Sequence, residues 1–92
     1  RFNLEQNAPN PFNPVTTIAY QVPTGGGDVT IEVFDVAGRL VTTLVDERRP
    51  AGRHEVSWLG RDSNGEDVAS GVYFCRMNAG EKEMTRKMLL LK

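Results

Sequence analysis

The apolar residues of this 92-residue chain recur at every second position, and seldom at helical spacing. Ile18, Tyr20 and Val22 alternate with Thr17, Ala19 and Gln21, and Val29, Ile31 and Val33 with Thr30 and Glu32. His54, Val56 and Trp58 alternate with Glu55 and Ser57. Leu40 to Val45 is a run rich in β-branched residues, Val72 to Met77 is another, and Met84 to Leu91 closes the chain. Turn residues separate these runs: Pro23 with Gly25-Gly26-Gly27, Asp35-Val36-Ala37-Gly38, "DERRPAG", "GRDSNGED" and Asn78-Ala79-Gly80. No segment carries a capped helical pattern. Six strands follow from this punctuation, with a seventh expected within Arg1 to Gln6. The pattern predicts an all-β fold, an antiparallel immunoglobulin-like β-sandwich of about seven strands. Its core is expected to hold Ile18, Tyr20, Ile31, Val33, Val56 and Trp58.

A chain of this length makes one domain, residues 1–92, that can bury a core without help. Acidic and basic residues are interspersed and the net charge is −1, so no nucleic-acid or anionic-lipid footprint is expected. Cys75 is the only cysteine, which rules out an intrachain disulfide. No apolar run reaches bilayer-spanning length. The chain begins at Arg1 without a Met and reads as a piece of a larger protein, with an unknown cargo domain ahead of it.

Chemistry-bearing residues are sparse. His54 and Glu55 are adjacent in a strand and point to opposite faces, so they are not a ready base and orienting group. Cys75 sits mid-strand, without an evident base, and reads as a half-buried packing residue. Asp62, Asn64 and Glu66 or Asp67 have the i, i+2, i+4 look of a calcium loop. The closing glutamate and flanking helices are missing, however, and a type I′ hairpin turn at Asn64-Gly65 accounts for them without an ion. That hairpin is expected to join the Trp58 strand to the Val72 strand. Gly25-Gly26-Gly27 precedes a strand and not a helix, so it reads as a hairpin loop and not a phosphate cradle. Tyr73 and Phe74 are adjacent and face opposite ways, which leaves no aromatic platform for a sugar. No catalysis, cofactor or metal is expected.

Two stretches are unusual. "NAPNPFNPVTTIAY" sets Pro9, Pro11 and Pro14 among Asn7, Asn10 and Asn13, around Phe12. Each proline fixes its own φ and biases the preceding residue toward extended backbone. Residues 7–14 thus read as a lead-in that is a semi-rigid spacer, setting the angle at which the chain enters the sandwich, with Phe12 anchoring it at the end of the sandwich or a sheet edge. At the other terminus, Met84, Arg86, Met88 and Leu90 share one face, and Thr85, Lys87, Leu89 and Leu91 the other. Apolar residues on both faces predict that Lys87 to Lys92 is an edge strand with unpaired backbone groups, open to strand addition. On this reading, deleting Leu89 to Lys92 leaves a folded sandwich.

Taken in order from Asn7 to Lys92, "PNPFNPVTTIAYQVP", "VFDVAGRLVTTL", "AGRHEVSW", "GRDSNGEDVASGVYFCRM" and "KMLLLK" resemble the type A C-terminal sorting domain of the type IX secretion system. They also resemble the immunoglobulin-like domain of flagellar hook-capping proteins. The sorting-domain resemblance implies a non-catalytic address label on a secreted cargo. It implies recognition by an outer-membrane translocon, passage through the periplasm, removal by a surface sortase-like peptidase, and a final place at the cell surface or outside the cell. The recognised residues it implies are Gly71, Val72 and Tyr73, together with Lys87, Met88, Leu89, Leu90, Leu91 and Lys92. The lead-in residues Pro9, Asn10, Pro11, Phe12, Asn13 and Pro14 would mark the junction with the cargo. Leu59 stands where the family often has aspartate, and Cys75 where an aromatic is common. The alternative is an accessory β-sandwich of a secreted enzyme, serving adhesion, glycan contact or spacing. A hook-cap scaffold gives "KMLLLK" no evident purpose.

Overall fold

The computed structural model describes residues 1–92, with seven strands and no helix. These are β1 (Asn3–Leu4), β2 (Thr16–Val22), β3 (Gly27–Asp35), β4 (Leu40–Arg49), β5 (Gly52–Trp58), β6 (Gly71–Ala79) and β7 (Lys82–Leu90). They form two antiparallel sheets, in the orders β1-β2-β5 and β4-β3-β6-β7. The strand alternation fixes which side chains meet between them. Ile18, Tyr20 and Val22 face Val29, Ile31, Val33, Tyr73, Cys75 and Met77, with Trp58, Met88 and Leu90 closing one end. The expected core residues are all buried except Val56, which is half-buried against that cluster.

Two short connections, one of them the Gly25-Gly26-Gly27 stretch that reads as a hairpin loop, are arches between the sheets. Pro23 to Gly26 carries the chain from β2 to β3, and Pro50-Ala51 from β4 to β5. The arches touch: a Cβ on Gly26, whose φ is +68°, would stand 2.7 Å from the Arg49 carbonyl oxygen. Only glycine fits there. The β3–β4 and β6–β7 connections are true hairpins. In the first, Asp35 Oδ1 accepts from the amides of Ala37 and Arg39 at 2.9 and 3.0 Å, which fixes the predicted Asp-Val-Ala-Gly turn.

The Asn64-Gly65 turn differs from expectation. Asn64 has negative φ, and Gly65 alone is left-handed at +80°, so this is not a type I′ turn. Asp62 builds it: Oδ1 accepts from the amides of Asn64 and Glu66, and the Gly65 amide donates to the Asp62 carbonyl. The strands on either side of this loop, β5 and β6, belong to different sheets, so it joins no hairpin.

β4 carries two register shifts against β3. Ile31 pairs with Val45 and Glu32 with Thr43, leaving Leu44 extra; Val33 pairs with Thr42 and Phe34 with Leu40, leaving Val41 extra. Both extra residues pack against the core. Bulges bend an edge strand and spoil it as a template. The Ser63 amide and hydroxyl both donate to the Val41 carbonyl, covering part of that edge.

Candidate functional site

The lead-in is not a spacer. It is the segment by which the first strand changes sheets. Glu5 and Ala8 still bond to β2, through Ala19 and Thr17. Four residues beyond Ala8, Phe12 bonds to β7 instead: its amide donates to the Leu89 carbonyl and its own carbonyl accepts from the Leu91 amide, both at 3.0 Å. This contact is parallel, between Phe12 and Leu90. The peptide bonds before Pro9, Pro11 and Pro14 are cis. Asn7 holds the crossing from within, donating to the Pro9 carbonyl and to Thr16 Oγ1, while the Thr16 hydroxyl donates to the same Pro9 carbonyl. Asn7 and Thr16 are the only buried polar residues, and each is satisfied by this net. The Phe12 ring is 2% exposed and lies 5.6 Å from Trp58, as an end anchor should.

This lead-in corrects the reading of the last strand. β7 is an edge strand, as expected, but it runs from Lys82 to Leu90, and Leu91 and Lys92 lie beyond it. Its outward backbone groups at Lys87 to Leu91 are not free. The Lys87 carbonyl accepts from Gln6 Nε2 at 2.7 Å, and the Leu89 amide donates to Asn10 Oδ1 at 2.9 Å. Phe12 takes the Leu89 carbonyl and the Leu91 amide, and the Lys92 amide reaches Ser70 Oγ. Three side chains and one backbone substitute for a partner strand, so strand addition at this stretch is blocked. Nor is the end of β7 dispensable, because Leu90 is wholly buried. Deletion of Leu89 to Lys92 strips the core and exposes Phe12, contrary to the expectation of a folded remnant.

The two groups of residues marked by resemblance lie side by side. Gly71 pairs with Leu90, Val72 with Leu89, Tyr73 with Met88, and Phe74 with Lys87. Their faces divide them. Tyr73, Met88 and Leu90 point into the core. Val72, Lys87 and Leu89 point outward, and Leu91 is 49% exposed beside them. Tyr73 is pinned by its hydroxyl, which donates to the Ala69 carbonyl at 2.6 Å, and by edge contact with Trp58. Burial, with Asp35 nearby, raises its pKa. Lead-in residues Pro9, Pro11, Asn13 and Pro14 are exposed, while Asn10 and Phe12 are committed to β7.

Sequence reading missed the outer face of the four-stranded sheet. Phe34 and Phe74 pair across β3 and β6 and both point outward. The Arg76 guanidinium lies over the Phe34 ring, 4.3 Å from its centroid. Glu32 and Glu83 approach it at 3.7 and 3.5 Å, yet its Nε is enclosed without a hydrogen bond. A shallow depression of about 350 Å³ opens beside this group, bordered by Val36, Gly38 and Thr85. The register needed to bring Leu40, Phe34 and Phe74 into one row passes through the β4 bulges, which no local sequence signal announces.

His54, Cys75 and Asp62, weighed for chemistry, are each engaged in the fold. His54 stacks on Tyr20 at 5.4 Å, with Nε2 at 2.8 Å from the Pro50 carbonyl. Cys75 is fully buried and not half-buried, and burial pushes its thiol up to about 12. Asp62 Oδ1 is engaged by its own loop amides.

Comparison with known proteins places this geometry in context. Dimeric latent PorU from Porphyromonas gingivalis contains a region similar to this chain, with a TM-score of 0.73 and 21% identity. The alignment covers 99% of this chain and 9% of that one. FlgD from P. aeruginosa is similar with a TM-score of 0.63 and 21% identity, over 82% of this chain and 57% of that one. The chain thus spans a minor part of the first and just over half of the second, and at such identities the likeness is one of fold. No curated protein matches the chain in sequence. The profile of the FlgD Ig-like domain matches residues 10–83, the sandwich without β1 and most of β7, and the chain therefore belongs to that family.

Proposed function

We propose that this domain is a non-catalytic sorting domain of the type IX secretion system, exported with its cargo and read at the outer membrane. The observation that carries the reading is the pairing of Gly71–Phe74 with Lys87–Leu90, which gathers both resemblance-derived groups into one corner. Val72, Lys87, Leu89 and Leu91 form the part of that corner a translocon can touch, while Tyr73, Met88 and Leu90 hold it in shape. The fold similarity to a region of PorU supports the same reading. A surface sortase-like peptidase would then act on the chain ahead of the sandwich. Arg1 lies at the end of the sandwich away from that corner, since Asn3 pairs with Gln21 while Lys92 bonds to Ser70 beside Gly71. A cargo joined through Arg1 would thus leave the corner uncovered.

The test is a reporter behind a signal peptide, fused ahead of residues 1–92, in a host with the secretion system. Export is expected, and Leu89→Asp with Leu91→Asp is expected to hold the folded fusion in the periplasm. Retention of the unmutated fusion refutes the reading and favours an accessory module. The opposite placement of the two termini on a body 39 Å long is what a spacer of that kind would use.

A further inference from the structure

A sandwich of this type ordinarily keeps the outer faces of its sheets polar. The three-stranded sheet does so, presenting Thr17, Gln21, Arg53, Glu55 and Ser57. The four-stranded sheet does not. Leu40 on β4 pairs with Phe34 on β3, which pairs with Phe74 on β6; two residues from Phe74, Val72 pairs with Leu89 on β7, and Leu91 follows. These six side chains form a stripe across all four strands. Leu40 and Leu91, at its two ends, are about half exposed. The stripe lies at the end of the sandwich away from Arg1. The other exposed large apolar residues, Val15, Val36 and Leu59, belong to the same end, by their places beside Thr16, Asp35 and Trp58.

The charges beside the stripe are unequally matched. Asp35 is paired with Arg39, and Glu32 and Glu83 both with Arg76. Lys87, next to Phe74, and Lys92, next to Leu91, are paired with no carboxylate. The charge left unpaired at the β6–β7 end of the stripe is therefore positive. A second copy docked face to face would bring these same unpaired lysines toward each other, which argues against it as the occupant.

We infer that the Leu40–Phe34–Phe74–Val72–Leu89–Leu91 stripe is the docking surface for a separate protein, one presenting an apolar strip bordered by carboxylates that meet Lys87 and Lys92. This rests on the sorting reading, with the export machinery supplying that protein. It moves the recognised surface from the strand edge, which the lead-in occupies, to the sheet face. Arg76 acts as a positioning residue, holding the Phe34 ring flat from above.

The experiment uses the reporter fusion with Phe74→Glu, Leu40→Glu, or Lys87→Glu with Lys92→Glu. Glu55→Lys on the opposite sheet is the control. Each stripe variant is expected to lower export about tenfold or more, Phe74→Glu by loss of a central apolar anchor and the others by setting a carboxylate against the partner's apolar strip or its carboxylates. Lys87→Glu with Lys92→Glu is expected to lower it further at low salt than at high salt. Melting temperatures are expected to stay near wild type, and if Phe74→Glu does not fold, Leu40→Glu decides because its side chain is half in solvent. Wild-type export with undiminished export of a folded stripe variant overturns the docking surface and leaves the sorting reading standing. Failure of the wild-type fusion to leave the periplasm overturns both. Sedimentation of the isolated domain as a dimer that Phe74→Glu dissociates also overturns the inference, by making a second copy the occupant.

Discussion

Replacing Phe12 with alanine tests whether the lead-in is part of the fold. The backbone bonds from Phe12 to Leu89 and Leu91 survive this substitution, so what is lost is the ring. That ring is 2% exposed and packs on Trp58 at 5.6 Å. Truncating a buried phenylalanine costs about 3–5 kcal/mol, including the cavity it leaves, of which about 0.5–1.5 is the aromatic pair. The site is at the end of the core, where neighbours can settle inward, so a loss of about 3 kcal/mol is expected. For a domain of this length that lowers Tm by about 12–24 °C, at about 4–8 °C per kcal/mol. Urea unfolding followed by Trp58 fluorescence measures it, and the slope of the transition should not change. Asn10→Ala, which removes only the bond to the Leu89 amide, should cost about 1 kcal/mol. A Phe12→Ala midpoint within error of wild type would show that the lead-in is a spacer after all, and the account of β7 would fall with it.

Other outcomes follow from the same packing. Trp58→Ala should cost about 3–5 kcal/mol, because the ring is buried and its Nε1 donates to the Arg61 carbonyl; an unchanged urea midpoint would remove Trp58 from the core. Gly65→Val should cost about 1–3 kcal/mol through its φ of +80° alone, since no atom lies within 4 Å of the added Cβ; a Tm equal to wild type would contradict the left-handed turn. Removing Leu91 and Lys92 should leave a cooperatively melting domain, whereas removing Leu89 to Lys92 should abolish the thermal transition. Cys75 titrates near 9.0 when unfolded and about 12 when folded, so the unfolded state sheds its proton first as pH rises. Stability should be unaffected by this thiol below about pH 9 and fall by about 1.4 kcal/mol per pH unit above it. Cys75→Val should flatten that alkaline slope in urea titrations, leaving the smaller one that Tyr73 contributes in the same direction.

Strand positions were legible because one face of each strand is buried. Val29, Ile31 and Val33 announce a half-buried strand whatever lies opposite. Partners were not legible, because an arch between sheets and a hairpin within one draw on the same residues. Pro23 to Gly26 looks like a hairpin loop and Pro50-Ala51-Gly52 like a plain turn, and only the sheet order shows that both cross, meeting at Gly26 and Arg49. The last strand was misjudged for a related reason. Leu89 and Leu91 opposite Met88 and Leu90 signalled an exposed edge, but the groups that cover that edge come from Gln6, Asn10 and Phe12, about 80 residues earlier in the chain. The outer stripe needs register across four strands, including two bulges, before its residues become neighbours.

The parallel contact between the lead-in and β7 has a mechanical consequence. The chain enters at one end of the long axis and leaves at the other, and Phe12 advances beside Leu89 to Leu91 in the same direction as β7. Tension between the termini therefore drags these two segments past each other. The bonds through Gln6, Asn10 and Phe12 then bear the load together, in shear, instead of opening one after another as a peeled hairpin does. Asn7 and Thr16 tie the same segment to the other sheet, so a pull on Arg1 is shared by both layers before β7 yields. A domain stretched between its two ends would meet that force along the axis on which this fold is best braced.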